Sequence, residues 1–286
     1  MTQRRSAHDG IAPTSDRATV AFLQWALPRI GLRWGGYRKV RGTVRKRLVR
    51  RLRALGLPNL SAYRAHLDAH PDEWGIFETM CRIPISRFYR DRAVFERLLH
   101  EVLPALASAA AREKRSSVRI WSAGCASGEE PYTIAILWHL AMEPARPALD
   151  LLATDVSEEM IARAERGIYR ESSLRELPMR LRERAFVREP SGQMRVREEL
   201  RRGIVFRRED LRASMPEGPF DLILCRNLAF TYFDEPTQLR IAKDLVARLR
   251  SGAALVVGSH EALPADLPEV VRRAPSIYER RPLGAP

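Results

Sequence analysis

Residues 120–132, reading IWSAGCASGEEPY, place two glycines and two adjacent carboxylates directly after a short apolar run. Gly124 and Gly128 can adopt a positive φ and allow the backbone to approach a ligand closely. Pro131 suits the first turn of a helix, and residues 132–142 continue in a helical pattern. This order of strand, glycine turn and helix is typical of a nucleotide-type pocket.

The charge at the mouth of this helix indicates which ligand the pocket would hold. A dinucleotide fold binds pyrophosphate through bare amides at a helix N-terminus, and the spacing here is not G-x-G-x-x-G. Glu129 and Glu130 would repel a phosphate and attract a cationic ligand. S-adenosylmethionine has a cationic sulfonium, an ammonium group and no phosphate, so the turn favours this cofactor over a dinucleotide.

A carboxylate follows the next apolar run, where a ribose would lie. Residues 149–154 (LDLLAT) read as a buried strand, and Asp155 stands at its carboxyl end. In a doubly wound sheet this is the position of the acid that accepts both ribose hydroxyls. The alternative role of Asp155 is a helix N-cap, because residues 156–166 read as a helix and Asp is a favoured cap residue.

Two further apolar runs, at residues 203–206 (GIVF) and 220–225 (FDLILC), are also followed by polar groups. Ligands of open parallel sheets bind at the carboxyl ends of the strands. On this geometry Asp210 would meet an adenine amino group, and Asn227 would meet the amino-acid end of the cofactor.

The alternation of strands and helices continues to the end of the chain. Residues 236–249 read as a helix, Ser251 and Gly252 as a turn, and residues 253–257 as a strand, with a last apolar segment near Ile277. This alternation predicts an α/β fold with a doubly wound, Rossmann-like sheet.

Several blocks of sequence together resemble one family. They are SRFYRD at residues 86–91, WSAGCASGEEPY at 121–132, ATD at 153–155, GIY at 167–169 and FDLILCRN at 220–227. By these blocks, which share the family's order and nearly its spacing, the chain resembles the CheR family of S-adenosylmethionine-dependent protein-glutamate methyltransferases, which methylate bacterial chemoreceptors. The resemblance covers nearly the whole chain and implies a methyltransferase sheet with a small N-terminal all-helical domain.

The resemblance also implies the residues of the site. Arg90 and Tyr232 would flank the transferred methyl group as catalytic residues. Residues that would bind the cofactor, with the two turn glycines included, are Ser86, Arg90, Gly124, Gly128, Glu129, Asp155, Asp210, Leu211, Arg226 and Asn227. The product would be S-adenosylhomocysteine.

The implied chemistry is direct displacement, in which a carboxylate oxygen takes the methyl group and a neutral thioether leaves. A glutamate side chain is ionised at neutral pH, so the protein has to align the reacting groups rather than supply a base. Arg90 can orient a carboxylate through its planar fork, and the Tyr232 hydroxyl can donate a hydrogen bond near the methyl group. Without the resemblance, the residues alone favour a surface ion-pair role for Arg90 and a core position for Tyr232.

Two features depart from the family pattern. Pro84, Ile85 and Ser86 stand where the family usually has Asn-x-Thr, and Pro84 supplies no backbone donor. The run from Asn227 to the Tyr-Phe pair at Tyr232 is one residue longer than is typical for the family. These departures leave open a non-catalytic module that binds S-adenosylmethionine without turnover.

The N-terminal quarter of the chain is strongly basic. No acidic residue lies between Asp16 and Asp68, and most of the net charge of +14 falls in that interval. The apolar residues of the segment 43–55 lie on one helical face, which turns the arginines outward. The arginines expected to dock a substrate are Arg45, Arg47, Arg50, Arg51 and Arg53.

Three interpretations of this basic helix remain open. The first is a docking surface for an acidic protein, which the resemblance identifies as a chemoreceptor cytoplasmic helix. The second is a solvated basic face. The third is a phosphate-binding stripe for nucleic acid. The last interpretation would make the chain an RNA methyltransferase. The sequence counts against it, because CRNLAF stands after the fourth strand where an amino-group methyltransferase carries an Asn/Asp-Pro-Pro-Tyr type motif. A non-receptor protein or a small acid as acceptor also remains open.

Composition and sequence blocks suggest a division into domains. We expect a disordered tail at residues 1–16, a helical domain at 17–92 and a methyltransferase domain at 93–286 with a small insertion near 175–202. The insertion is either an antiparallel hairpin over residues 188–197 or a charged crossover. Because it is short and polar, we do not expect it to tether a receptor's C-terminal peptide.

The remaining features predict a soluble cytoplasmic enzyme. At 286 residues the chain has no apolar run of membrane-spanning length, so membrane insertion is not expected. Its three cysteines are widely separated and lack metal-binding spacing, which favours reduced thiols, and the six histidines form no ligand pattern. We therefore predict no metal.

Overall fold

The computed structural model describes residues 14–142 and 146–282, so that most of the expected disordered tail lies outside the described residues. The described chain divides into a helical unit, 14–83 with Tyr232–Asp234, and a sheet unit, 84–231 with the residues from 235 onward. This division lies nine residues before the expected domain boundary. The reason is that Phe88 and Tyr89 are fully buried in the core that underlies the sheet.

The helical unit contains five α-helices and one 3-10 turn at Leu27–Ile30. The helices are α1 (Asp16–Ala26), α2 (Trp34–Tyr37), α3 (Arg41–Leu55), α4 (Leu60–Ala69) and α5 (Glu73–Cys81).

Side chains at four-residue spacing build the core of this unit. Val44, Leu48 and Leu52 lie on one face of α3 and are fully buried, as the sequence predicts. Phe22 of α1 packs edge-on against Phe77 of α5, with ring centroids 5.6 Å apart. The outward arginines of α3 therefore stand on a helix that its apolar face holds in place.

The sheet unit contains ten strands in two sheets. They are β1 (Ser117–Ala123), β2 (Ala148–Asp155), β3 (Ile168–Tyr169), β4 (Phe186–Arg188), β5 (Met194–Val196), β6 (Ile204–Arg208), β7 (Phe220–Leu224), β8 (Leu249–Val256), β9 (Val270–Ala274) and β10 (Ile277–Arg280).

Helices connect and cover these strands. They are α6 (Arg92–Arg97), α7 (Leu103–Arg112), α8 (Glu129–Ile136), α9 (Glu158–Arg166), α10 (Met179–Ala185), α11 (Glu198–Arg201), α12 (Ala229–Tyr232) and α13 (Glu235–Ala247). A π-helical segment, Leu98–Val102, joins α6 to α7, and another, Leu137–Ala141, extends α8. None of the helices in the described ranges is long and apolar enough to cross a membrane.

The seven-stranded sheet has the order β6-β2-β1-β7-β8-β10-β9. The pairs β6/β2, β2/β1, β1/β7 and β7/β8 are parallel, whereas β10 is antiparallel to β8 and β9. From β1 the chain adds β2 and then β6 on one side, and returns to add β7 on the other. The point of reversal lies between β1 and β7, which confirms the doubly wound α/β fold.

Strand β8 begins earlier than the sequence suggests. The predicted turn at Ser251 and Gly252 lies inside this strand, where Gly252 has φ +75° and the register with β7 shifts. The glycine forms a bulge rather than a turn, because its positive φ inserts extra residues into one strand without ending the pairing.

The expected insertion forms a small sheet with the order β3-β5-β4. Both pairs are antiparallel, with Val187 opposite Arg195 and Ile168 opposite Arg195 on the other side. The hairpin interpretation of residues 188–197 is therefore closer to the structure than a plain crossover.

Gly128, the N-cap of α8, allows a test of the close packing behind the glycine turn. Its φ is +91°, and a Cβ there would lie 2.8 Å from Ala164 Cβ and 2.9 Å from the Tyr169 hydroxyl. We expect Gly128→Ala to lower the free energy of unfolding by about 3 kcal/mol, from backbone strain and overpacking together. Urea denaturation of the purified protein measures this loss.

Gly192→Ala is the matched control, because Gly192 has φ +79° with no atom within 4 Å of an added Cβ. This control isolates the backbone cost, which we expect to be about 1 kcal/mol. Equal losses in the two variants would contradict the packing argument.

Candidate functional site

The expected cofactor-binding residues follow the carboxyl ends of four adjacent parallel strands. The glycine turn follows β1, Asp155 ends β2, Asp210 follows β6, and Asn227 follows β7. Since these strands are neighbours in the order β6-β2-β1-β7, their carboxyl ends lie at one edge of the sheet. The fold thus brings together segments that are up to a hundred residues apart in the sequence.

The turn after β1 is held by the backbone of β2. The amides of Gly124 and Cys125 both donate to the Thr154 carbonyl, at 2.8 and 2.9 Å. Gly124 has φ +81°, and the Leu228 side chain occupies the space that a Cβ would need. Both predicted turn glycines therefore have positive φ and close neighbours. Burial raises the pKa of the Cys125 thiol well above its ordinary value, which disfavours a nucleophilic thiolate in this turn.

Glu129 is the first residue of α8, and only 3% of its surface is exposed. Within the described chain its carboxylate accepts hydrogen bonds only from the Ser127 hydroxyl, at 3.1 and 2.9 Å. The Ser127 carbonyl in turn accepts a hydrogen bond of 2.6 Å from Tyr169, the tyrosine of the GIY block. Glu129 thus keeps acceptor capacity for the donors of a ligand.

Asp155 organises the junction between the glycine turn and α9. Its Oδ2 accepts from the Ala126 amide and its Oδ1 from the Ser157 amide, both at 2.9 Å. The N-cap of α9 is Ser157, whose hydroxyl accepts from the Met160 amide. Asp155 is therefore not the cap of this helix, and the alternative interpretation of its role is wrong.

Asp210 and Leu211 differ in their surroundings. The Asp210 carboxylate accepts from the Arg212 amide and pairs with the Arg212 guanidinium, each at 2.9 Å. Leu211 is buried, with 8% of its surface exposed. The ion pair fixes the rotamer of the carboxylate that the sequence places near the adenine.

Arg226 and Asn227 both have close protein partners. The Arg226 side chain is 2% exposed and pairs with Asp91 and Glu130, each at 2.9 Å. Asn227 has φ +57°, and its backbone amide donates to Glu261 Oε2 at 2.7 Å. Glu130 is thereby neutralised by a protein cation, so only Glu129 of the two adjacent glutamates keeps its capacity for a ligand.

Glu261, between β8 and β9, is a functional candidate that sequence reasoning missed. Its buried carboxylate accepts from the amides of Asn227 and Gly258, each at 2.7 Å, and from the Thr231 hydroxyl at 2.6 Å. The bonds from Asn227 and Thr231 hold the segment that follows β7 against the loop that follows β8. The signal was available, because β8 is parallel to β7 and the sequence GSHE follows its carboxyl end.

The two expected catalytic residues belong to different units. Ser86 and Arg90 belong to the sheet unit, whereas Tyr232 belongs to the helical unit. Arg90 Nη1 donates to the Ile85 carbonyl at 2.6 Å, which leaves further donors of its fork available. The Tyr232 ring lies 5.1 Å from that of Tyr37, between centroids, and its carbonyl accepts from the Arg33 amide at 2.8 Å.

The carboxylates at the edge of the sheet suit S-adenosylmethionine. The Glu129 carboxylate keeps acceptor capacity for hydroxyl or ammonium donors, and Asp155 adds negative charge at the end of the neighbouring strand, whereas the charge of Asp210 is balanced by Arg212. Such a site attracts a cationic ligand and repels a phosphate. The residues present therefore fit the expected cofactor.

The five expected docking arginines of α3 fall into two groups. Arg51 pairs with the buried Glu73, at 2.9 and 2.5 Å, and Arg47 donates to the carbonyls of Met80 and Arg82. In contrast, Arg50 and Arg53 are exposed, and Arg45 is half-buried. Two of the five arginines thus stabilise the helical unit itself.

The buried carboxyl of Glu261 predicts a dependence of stability on pH. Burial raises the pKa of Glu261 above its ordinary value of 4.5, so the folded state binds this proton more tightly than the unfolded state. The stability that this group contributes is complete below the ordinary pKa and is lost as the pH rises through the raised value. We expect Glu261→Gln to gain stability relative to wild type as the pH rises from below 4.5, the ordinary pKa, through the range above it.

Urea denaturation across this pH range measures the difference. Glu269→Gln, at an exposed carboxylate of the same connecting segment, is the control. If the free energy of unfolding of Glu261→Gln falls relative to wild type as the pH rises, the hydrogen bonds to the Glu261 carboxylate outweigh the cost of its burial.

Comparison with known proteins agrees with this geometry. Residues 85–277 match a family model described as CheR methyltransferase, SAM binding domain, and residues 22–78 match one described as CheR methyltransferase, all-alpha domain. A chemotaxis protein methyltransferase of Klebsiella aerogenes is 34% identical over 274 residues, covering 93% of this chain and 90% of that protein.

Two other relatives differ in length. Chemotaxis protein methyltransferase 2 of Pseudomonas aeruginosa is 36% identical over 225 residues, covering 76% of this chain and 77% of that protein. An uncharacterised 104.1 kDa protein of Rhodobacter capsulatus is 36% identical over 224 residues, and the aligned region covers 78% of this chain but only 23% of that protein. From the strand-end site and these matches over both units, the chain belongs to the CheR methyltransferase family and is an S-adenosylmethionine-dependent methyltransferase.

Proposed function

We propose that this enzyme transfers a methyl group from S-adenosylmethionine to glutamate side-chain carboxylates of a protein, a chemoreceptor or a related signalling protein. The products are a methyl ester and S-adenosylhomocysteine. Support comes from the relatives named as chemotaxis protein methyltransferases, two of which the chain matches over three quarters or more of their length. The observation that carries the choice of acceptor is the exposed basic face of α3.

The chemistry needs alignment more than acid or base catalysis. When bound, S-adenosylmethionine supplies an electrophilic methyl group, and a carboxylate oxygen can take it as the neutral thioether leaves. The acceptor carboxylate is ionised at neutral pH, so no protein base is required. What the protein supplies is orientation and the exclusion of water.

Arg90 is the residue of the sheet unit that we assign to the acceptor. Among the described residues its fork makes one hydrogen bond, to the Ile85 carbonyl, and keeps donors for a carboxylate. Tyr232 would add a hydroxyl donor beside the methyl group, and its backbone is fixed through the Arg33 amide. Both assignments follow the family pattern at these positions.

The docking surface that we propose is the outward face of α3, formed by Arg45, Lys46, Arg50 and Arg53. Lys46, Arg50 and Arg53 are exposed, and no ion pair binds any of the four within the described residues. Uncompensated like charge costs stability, and an acidic partner would recover that cost on binding. A receptor helix rich in glutamate has the required charge.

The compartment follows from the thiols and the partner. Cys81, Cys125 and Cys225 are buried and unpaired, which suits a reducing compartment. We accordingly propose that the enzyme acts in the cytoplasm on the cytoplasmic part of its substrate.

Asp155 provides a test of the cofactor site. We expect Asp155→Ala to weaken binding of S-adenosylhomocysteine by about a hundredfold, because the ribose hydroxyls lose a charged acceptor and the Ala126 amide of the glycine turn loses its acceptor. Isothermal titration calorimetry measures the affinity. Asp150→Ala is the control, since Asp150 is an exposed carboxylate near the other end of the same strand. Wild-type affinity in Asp155→Ala would remove Asp155 from the site.

Charge reversal tests the docking surface. We expect Arg50→Glu combined with Arg53→Glu to raise KM for an acidic protein substrate by about tenfold and to leave S-adenosylhomocysteine affinity unchanged. Arg51 is kept, because its ion pair with Glu73 stabilises the unit. Methylation rates at several substrate concentrations and at low and high salt give the result.

The control for charge reversal is Arg112→Glu combined with Arg272→Glu. Both arginines are exposed on the sheet unit, and this variant lowers the net charge of +14 by the same amount. Equal KM values in the two double variants would exclude docking through α3.

The proposed function is tested with methyl-labelled S-adenosylmethionine and a lysate of the host. Mild alkali hydrolyses carboxyl methyl esters, so volatile labelled methanol from a protein band supports the proposal and identifies the acceptor. Alkali-stable label on RNA or protein would move the assignment to another acceptor atom. Cofactor binding without any label would favour a non-catalytic binding module.

A further inference from the structure

The segment that presents Arg90 has an unfavourable backbone conformation. Tyr89 has φ +60° and Asp91 has φ +63°, so left-handed residues with side chains flank Arg90 on both sides. Such conformations persist only where the surrounding structure holds them. The Tyr89 amide has one such restraint, a hydrogen bond of 3.2 Å to the Thr133 hydroxyl of α8.

The second restraint on this segment is the side chain of Arg226. Its Nη2 donates to the Arg90 carbonyl at 2.7 Å and to Asp91 Oδ2 at 2.9 Å. Its Nη1 donates to Glu130 Oε2 at 2.9 Å. The guanidinium carbon also lies 4.8 Å from the centroid of the Phe95 ring. One side chain after β7 therefore binds both the Arg90 segment and the first turn of α8.

These bonds limit what Arg226 can offer a ligand. With the side chain 2% exposed, its two terminal nitrogens bind protein acceptors, and only Nε lacks a hydrogen-bond partner among the described residues. Burial raises the pKa of Asp91 and Arg226 lowers it, with a net direction below the ordinary value. Asp91 is thus held ionised beside the guanidinium, in a pair that is costly to break from one side.

We propose that Arg226 is a positioning residue, whose buried guanidinium holds Tyr89, Arg90 and Asp91 in the conformation that presents Arg90 to the acceptor. It acts through Arg90 and does not contact the cofactor with its side chain. The inference rests on the proposed function in one respect, the assignment of Arg90 to the acceptor carboxylate. The network around it supports this role, because Glu130 is fixed by the Ser122 hydroxyl at 2.7 Å.

We call the hydrogen bonds of the Arg226 side chain to Arg90, Asp91 and Glu130 the clamp. Arg226→Lys tests it, because lysine keeps the charge but cannot reach three acceptors in a plane. Hydrogen exchange followed by mass spectrometry, on peptides covering residues 85–95, measures the conformational restraint. We expect exchange there to become faster by about tenfold, with the peptide covering β2 unchanged. Calorimetry with S-adenosylhomocysteine is expected to show an affinity within about threefold of wild type.

A matched control and a second variant accompany this test. Arg115→Lys changes another arginine of the sheet unit that pairs with a buried carboxylate, Asp221, and we expect it to leave exchange at 85–95 unchanged. If Arg226→Lys does not fold, Asp91→Asn removes the negative charge that pairs with Arg226 and is expected to accelerate the same exchange.

A double-mutant cycle tests whether Arg226 acts through Arg90. Arg226→Lys alone is expected to lower kcat by about tenfold, but by less than about twofold in an Arg90→Ala background. Multiplicative effects, or wild-type exchange at 85–95, would overturn the proposal, as would a lost affinity for S-adenosylhomocysteine with wild-type exchange. If wild-type enzyme methylates no carboxylate, the proposed function fails, while hydrogen exchange still decides the clamp.

Discussion

The hydrogen bonding of β1 between β2 and β7 is the constraint on which the site depends. Its parallel register runs from Ser117 opposite Ala148 to Ala123 opposite Thr154, and pairs Ser122 with Leu224 on the other side. Parallel pairing of neighbours ends all these strands at one edge, where the chain also reverses its direction of strand addition. The expected cofactor-binding residues from Gly124 to Asn227 are placed by this edge, either directly or through a loop that starts there, whereas Ser86 and Arg90 lie on the segment before α6.

The carboxylates near this edge differ in the protein partners that they have. Glu130 and Asp91 are neutralised by the buried Arg226, and Asp210 by Arg212. Glu261 accepts one hydrogen bond from its own loop and two from the segment after β7, whereas Glu129 is buried and has one hydroxyl as its partner among the described residues. Because a buried carboxylate without donors is unfavourable, the full set of donors at Glu261 suits a structural role, and the smaller set at Glu129 suits the ligand-binding role expected of it.

The basic helix α3 shows the same division between structure and function. Arg51 and Arg47 stabilise the helical unit through Glu73 and the end of α5. Arg50 and Arg53 make no such ion pair within the described residues, and they form part of the docking surface that we propose. A count of positive residues in this helix therefore overstates the docking surface, because part of the charge serves the fold.

The sequence alone determined the strands, the turn glycines and the family. Apolar runs and glycine positions are local properties, so β1, β2 and β7, the positive φ of Gly124 and Gly128, and the α/β alternation could be predicted. The bulge at Gly252 was mistaken for a turn, because a glycine signal does not state whether pairing continues across it.

Tertiary structure decided which charged groups pair with other groups of the protein. The partners of Arg47 and Arg51 lie 22 to 35 residues away in the sequence, and those of Arg226 lie 96 to 136 residues away. The role of Glu261 likewise required its loop to fold against Asn227 and Thr231. Residue types and spacing specify local conformation, but burial and ion pairing depend on long-range packing, which no local pattern encodes.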